Sequence, residues 1–221
     1  DHLVGGGETR CVLTASTGNH GAAMAYACDK LGLPLTVGVP EGCDESKVAL
    51  IRRFGAQLQY LGSDLDATKE IMLTERLPAG TVFVEDGSNP QIVAGTSTIG
   101  AEIARALPEV ATVVVPVGNG ALIGGLGTAL KRHNPAVRLV GVQSAAAPCM
   151  ALSFAAGAPI DTEACATFAS GMAVRVAVPQ AVELMLEVVD EMALVGESDI
   201  EDAMRHFHHH ANYLHEPAGC A

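Results

Sequence analysis

The chain has 221 residues, with 13 Lys and Arg against 25 Asp and Glu and a formal net charge of −12. Some 49% of it is apolar and only 17% charged, a globular composition that excludes a disordered or collagen-like chain and suffices for one large domain or two small ones. The acidic balance, with no long basic run, argues against nucleic acid or an anionic membrane as partner, and no apolar run reaches the roughly 18 residues of a membrane span.

In chain order, Cys11–Thr14 reads as an apolar strand that passes through a Gly-containing turn into a small-residue helix at about Asn19–Leu31. Leu35–Val39 is a strand closed by Pro40, and Asp44 is placed to cap the helix Glu45–Phe54, which Gly55 ends. The strand Leu58–Leu61, the helix Asp64–Arg76 and the strand Thr81–Val84 follow, then a helix from Asn89-Pro90 to Leu107. Ala111–Val115 is the most strand-like run, followed by a Gly-rich turn, a helix to about His133 and the strand Arg138–Val142. Ser153–Ala177 carries little pattern and is expected to be irregular. Met192–Val195 reads as a strand, Glu197-Ser198 starts a helix over Asp199–Tyr213, and Glu216–Ala221 looks like the opening of another. Strands alternating with helices predict βαβ units and a mainly parallel, helix-covered sheet.

The N-terminal Asp-His-Leu-Val-Gly-Gly-Gly has neither the basic nor the apolar region of a secretory signal. Six cysteines without a C-x-x-C pair, in a chain of this size, are expected to be reduced structural thiols in a cytoplasmic protein. His206 and His210 are spaced i, i+4, with His208, His209 and His215 nearby, but no carboxylate or Cys completes a zinc set. A solvated helix face and no metal are expected there. Met185, Met192 and Met204 are read as core filler.

Ligands of parallel sheets gather at the carboxyl ends of strands, and two strand-to-helix loops stand out. The first is Thr14-Ala15-Ser16-Thr17-Gly18-Asn19-His20-Gly21. Its hydroxyls and helix-start N–H groups suit a carboxylate or phosphate, and they equally suit an ordinary helix cap. The second is Pro116-Val117-Gly118-Asn119-Gly120-Ala121-Leu122. Its glycines allow a concave run of N–H donors for a phosphate, or a structural tight turn. No Lys-Ser/Thr follows it, and G-x-G-x-x-G is not matched, because Ile123 stands where the third Gly falls.

Together these loops resemble those of the fold-type-II pyridoxal-phosphate enzymes, the tryptophan synthase β-like superfamily, and among them the serine/threonine dehydratases. Ser16-Thr17-Gly18-Asn19-His20-Gly21 is similar to the S-x-G-N-H-G substrate loop, and Ala94-Gly95-Thr96-Ser97-Thr98-Ile99-Gly100 to an A-G-x-x-T-I-G helix. The segment from Pro40 through Lys47 to Gly55-Ala56, the phosphate loop from Val115, and Glu216-Pro217-Ala218-Gly219 match in the same order. The resemblance implies an α/β fold of two open, mainly parallel twisted sheets flanked by helices, with pyridoxal 5'-phosphate in the cleft between two domains. Residues 11–88 would form the small domain, 89–221 part of the large one, and 1–10 a remnant of a preceding large-domain segment. Asn19 would bond the 3′-oxygen of the cofactor ring. Gly118, Asn119, Gly120, Ala121 and Leu122 would wrap its phosphate, Ala121 offering its N–H, and Gly171 and Glu216 would lie beside the ring. Ser16, Thr17 and Gly18 would hold the substrate carboxylate. His20 belongs to the same substrate-binding loop, its ring read as structural rather than as an acid or base.

The resemblance also implies a Schiff-base lysine upstream of the substrate loop. The first 15 residues hold none, and Lys30, Lys47, Lys69 and Lys131 are read as solvent-facing helix residues. The chain is therefore expected to be a fragment, truncated at both ends and without a catalytic residue of its own. Gln143 and Cys149 stand where racemase-like members place carboxylate metal ligands, so that metal site is expected to be absent. The implied activity is that of a lyase turning threonine or serine into a 2-oxo acid and ammonia, as a homodimer. Asn119 and Ser170 favour the alternative of a threonine synthase-like replacement enzyme, and the missing lysine that of a non-catalytic ligand-binding remnant.

Overall fold

The structure is a computed structural model that describes residues 11–43, 45–74 and 79–221, of Lys47 the backbone only. The segment 1–10, the Asp44 cap, the helix end at 75–76 and the side chain of Lys47 lie outside the described residues. The chain divides into two compact units between Glu85 and Asp86.

The first unit runs β1 (Cys11–Ala15), α1 (Asn19–Leu31), β2 (Leu35–Val39), α2 (Glu45–Arg53), β3 (Gln57–Tyr60), α3 (Leu65–Thr74) and β4 (Thr81–Phe83). Its strands pair in parallel in the order β3-β2-β1-β4. Parallel neighbours need crossover connections, which the intervening helices supply. The strand β2 is buried along its whole length, as expected of an interior strand covered on both faces, and its Leu-Thr-Val-Gly-Val sequence is accordingly non-alternating.

The second unit contains α4 (Pro90–Ala106), β5 (Thr112–Pro116), α5 (Ala121–His133), β6 (Arg138–Ser144), α6 (Cys149–Ala156), α7 (Pro179–Val188), β7 (Glu191–Val195) and α8 (Glu197–Ala211). Short 3₁₀ turns lie at Ser170–Met172 and Pro217–Cys220. The three strands are parallel in the order β5-β6-β7. Asn89 accepts from the Gln91 N–H and Pro90 occupies the first turn, so α4 starts where the sequence expects. Val115, Ile123, Leu130, Leu139, Met150 and Met185 form the core of this unit. A second cluster joins Ala169, Met172, Ile200, Ala218 and Cys220. The A-G-x-x-T-I-G helix owes its small residues to a close crossing: Thr96 Oγ1 lies 2.9 Å from the Ala121 carbonyl, and a Cβ on Gly100 would meet the Leu126 carbonyl.

Several expectations change. The stretch Ser153–Ala177 is not irregular throughout, because α6 reaches Ala156. Pro148 has no side-chain donor or acceptor to cap that helix, and Gln143 Oε1, reaching across from β6, accepts the Ala151 N–H at 2.9 Å instead. The helix α7 was not expected, although Pro179 opens it and Ala181, Val182, Met185 and Val188 form its buried stripe. Glu216–Ala221 forms a 3₁₀ turn rather than an α-helix start, and α8 spans Glu197–Ala211. Finally, Lys69 and Lys131 are not solvent-facing. Each side chain is 22% exposed, and they pair with Glu85 and Asp190. Lys131 Nζ also donates to the Val137 carbonyl at 2.7 Å, while Lys30 remains exposed. No described helix is long and apolar enough to cross a membrane.

Candidate functional site

In the first unit, the turn after β1 is organised by Ser16, which is buried. Its Oγ accepts from the N–H groups of Gly18 at 3.2 Å and Gly21 at 2.9 Å. With both lone pairs engaged, the hydroxyl proton is left to donate. The Gly18 N–H is thus engaged within the loop in this structure. Gly18 and Asn19 are exposed and Thr17 half-buried at the start of α1.

His20 points inward. Its Nε2 lies 2.9 Å from Thr14 Oγ1, and that buried hydroxyl donates its only proton to the Val84 carbonyl at 2.8 Å. Thr14 Oγ1 must then accept from Nε2–H, which puts the proton of the neutral imidazole on Nε2 and leaves Nδ1 as acceptor. The ring thus ties β1, the first turn of α1 and the residue after β4 together.

In the second unit, β5 ends at Pro116 and the Val117 N–H still bonds to the Val142 carbonyl at 2.8 Å. Gly120 caps α5 with φ +94°, a left-handed conformation that suits glycine. The Ala121 N–H donates to Asn119 Oδ1 at 3.1 Å. An Asn two residues before an amide can turn back to it in this way, so in this structure the Ala121 N–H is engaged within the loop. Leu122 and Ile123 lie in the first helical turn, where an N–H has no acceptor within the helix and the dipole favours an anion.

Gly118 lies directly against the 170–172 turn, since a Cβ there would stand closer than 3.0 Å to the Gly171 carbonyl oxygen. Gly171 in turn faces Ala218, whose Cβ is 2.9 Å from where a Cβ on Gly171 would be. The phosphate loop, Gly171 and the Glu216–Gly219 segment therefore meet at one place. Glu216 is exposed at the start of its turn, its carbonyl accepting the Gly219 N–H at 3.0 Å. Glycine backbone without side chains, at a helix start, fits the phosphate group of a pyridoxal 5'-phosphate molecule.

One residue of this region had no role in the sequence reading beyond starting a helix. The Glu197 carboxylate accepts from Ser144 Oγ at 2.6 Å, from the Phe168 N–H at 2.9 Å and from Thr167 Oγ1 at 3.1 Å. Burial alone would raise its pKa, but these three donors outweigh it and hold the group below the usual glutamate value. Gln143 and Cys149 are fully buried, and among the described residues Gln143 Nε2 has no hydrogen-bond partner. The rings of His206 and His210 lie 4.3 Å apart on an exposed face, tilted at 42° to one another. Among the described residues no three His, Cys, Asp or Glu side chains come together as a metal set.

Comparison with known proteins places these loops in context. The family described as pyridoxal-phosphate dependent enzyme matches residues 2–221. An L-threonine ammonia-lyase of Thermotoga maritima is 38% identical over 99% of this chain and 54% of its own length. Another from Geobacter sulfurreducens is 36% identical over 94% of this chain and 52% of its own. The chain thus spans about half the length of these curated relatives. Among solved structures, maize serine racemase superposes with a TM-score of 0.89 at 27% identity, covering 100% of this chain and 65% of that one. The processed form of threonine deaminase isoform 2 from Solanum lycopersicum gives 0.87 at 29%, covering 96% and 62%.

Proposed function

The chain belongs to the pyridoxal-phosphate dependent enzyme family, and from that premise we propose that it is part of a lyase converting threonine or serine to a 2-oxo acid and ammonia. The observation that carries this reading is the 38% identity to an L-threonine ammonia-lyase across 99% of the chain. The glycine-built start of α5 supports it as a phosphate cradle.

The roles proposed for the chain's own residues are binding and orientation. Backbone N–H groups of Gly118, Asn119, Gly120 and Leu122 hold the cofactor phosphate, with Gly120 giving the turn its left-handed step. Ser16, whose oxygen is fully engaged as acceptor, donates its proton to the substrate carboxylate, beside Thr17 and Gly18. Asn19 addresses the 3′-oxygen of the ring. His20 holds the loop's shape from beneath, and Gly171 and Glu216 flank the ring. The cofactor, when bound, supplies the electron sink that makes the α-proton of an amino acid removable. The lysine that the family resemblance places before the substrate loop is not among the chain's four lysines. The homodimer and the cytoplasmic location belong to the same proposal.

The test is an assay of the full-length protein. Release of ammonia and 2-oxo acid from L-threonine or L-serine is expected. Turnover confined to a phosphorylated or acylated amino acid would make it a replacement enzyme, and binding without any turnover a remnant.

A further inference from the structure

One charged group that grips the segment entering the meeting point of the three motif segments is not part of any motif. Glu197 opens α8, directly after β7. One carboxylate oxygen takes the hydroxyl of Ser144, the last residue of β6. The other takes Thr167 Oγ1 and the Phe168 N–H. Thr167 Oγ1 also accepts the Ala169 N–H at 3.0 Å. The segment Thr167–Ala169 is therefore gripped by one carboxylate immediately before it enters the 170–172 turn. That turn ends in the backbone contact of Gly171 with Gly118.

The path from Glu197 to the phosphate loop is short and made of backbone. Ala169 and Met172, on either side of Ser170-Gly171, are fully buried against Ile200 of α8 and Ala218. The turn cannot rise or sink independently of the segment that Glu197 holds. From these contacts the geometry points to Glu197 as a positioning residue for the phosphate site: by fixing Thr167–Ala169 to the ends of β6 and β7, it sets the place of the Gly171 carbonyl and so the shape of the Gly118–Leu122 cradle. This rests on the proposed reading that the cradle binds the phosphate of pyridoxal 5'-phosphate. Glu197 itself touches neither ligand nor reacting atoms.

The sign of the effect separates this role from simple electrostatics. A carboxylate close to an anion site repels the anion, so removing its charge strengthens binding by Coulomb's law. Removing the fastening of the turn weakens it. Glu197→Gln keeps the shape and one acceptor but loses the charge and the second acceptor, and Glu197→Asp keeps the charge with a shorter reach.

The experiment is calorimetric titration of the 221-residue chain with pyridoxal 5'-phosphate, inorganic phosphate and pyridoxal at neutral pH, with unfolding midpoints measured alongside. Glu197→Gln is expected to weaken both phosphate-bearing probes by about tenfold, the scale of a misplaced binding group, while leaving pyridoxal unchanged. Thr167→Val, which leaves Glu197 in place, is expected to shift the same two probes in the same direction. Unchanged or tighter phosphate binding in folded Glu197→Gln overturns the positioning role, even if the variant melts earlier. Equal losses for all three probes overturn it too, because a generally loosened unit does not single out phosphate. Failure of the unsubstituted chain to prefer pyridoxal 5'-phosphate over pyridoxal instead removes the underlying reading of the cradle.

Discussion

The carbonyl oxygen of Gly171 lies so close to Gly118 that a Cβ at residue 118 would stand within 3.0 Å of it. The obstacle is backbone rather than the movable end of a side chain. A methyl group at residue 118 must therefore displace either the phosphate loop or the turn that carries Gly171. We expect Gly118→Ala to lower stability by about 1–3 kcal/mol, the usual cost of overpacking, and to weaken pyridoxal 5'-phosphate binding by at least about tenfold. Urea unfolding and calorimetry check the two parts separately, and unchanged affinity in the folded variant would sink the proposed role of this loop.

The hydrogen bonds of Thr14 make a prediction about a proton. Nitrogen-15 spectra of neutral His20 should show the tautomer protonated on Nε2, because the Thr14 hydroxyl is already committed to Val84. Thr14→Val keeps the shape but strands the imidazole donor and the Val84 carbonyl, at about 1–3 kcal/mol. An Nδ1-protonated ring in the unsubstituted chain contradicts the assignment.

Acid should unfasten the second unit. Glu197 sits below the ordinary glutamate value of 4.5, because its three donors outweigh burial. Asp190 sits below the ordinary aspartate value of 3.8, because bonds from Lys131 and the Leu139 N–H, with the charge of Arg138, likewise outweigh burial. A carboxyl whose folded pKa is depressed binds fewer protons folded than unfolded near its titration. Its stabilisation is fully present above the unfolded value and is lost as pH falls through the folded one. Urea midpoints are therefore expected to drop below about pH 4.5, and to drop less steeply in Glu197→Gln. Stability that rises on acidification below that point refutes the account.

Much of the fold was legible because the signals are local. The strand Leu35–Val39, the Asn89-Pro90 helix start and the valine-rich strand at 112–116 each sit where their own residues place them. Pro179 with its apolar stripe is a readable helix signal, whereas α6 is a short helix capped from another strand by Gln143. The candidate site divides in the same way. Ser16 to His20 and Gly118 to Leu122 announce themselves as strand-to-helix loops, whereas Gly171 and Glu216 rest on family resemblance. Glu197 was out of reach, because the groups that define it are 29, 30 and 53 residues away in the chain. The fate of the Ala121 N–H was hidden for a subtler reason: Asn119 is compatible with both a free and a self-satisfied loop, and only the turn geometry decides.

A crystal structure of this chain grown with pyridoxal 5'-phosphate tests the central claim most directly. The account predicts phosphate oxygens about 3 Å from the backbone nitrogens of Gly118, Asn119, Gly120 and Leu122, with the Ala121 nitrogen still turned to Asn119. A phosphate seated instead on the Ser16–Asn19 loop, with the start of α5 empty, would contradict it.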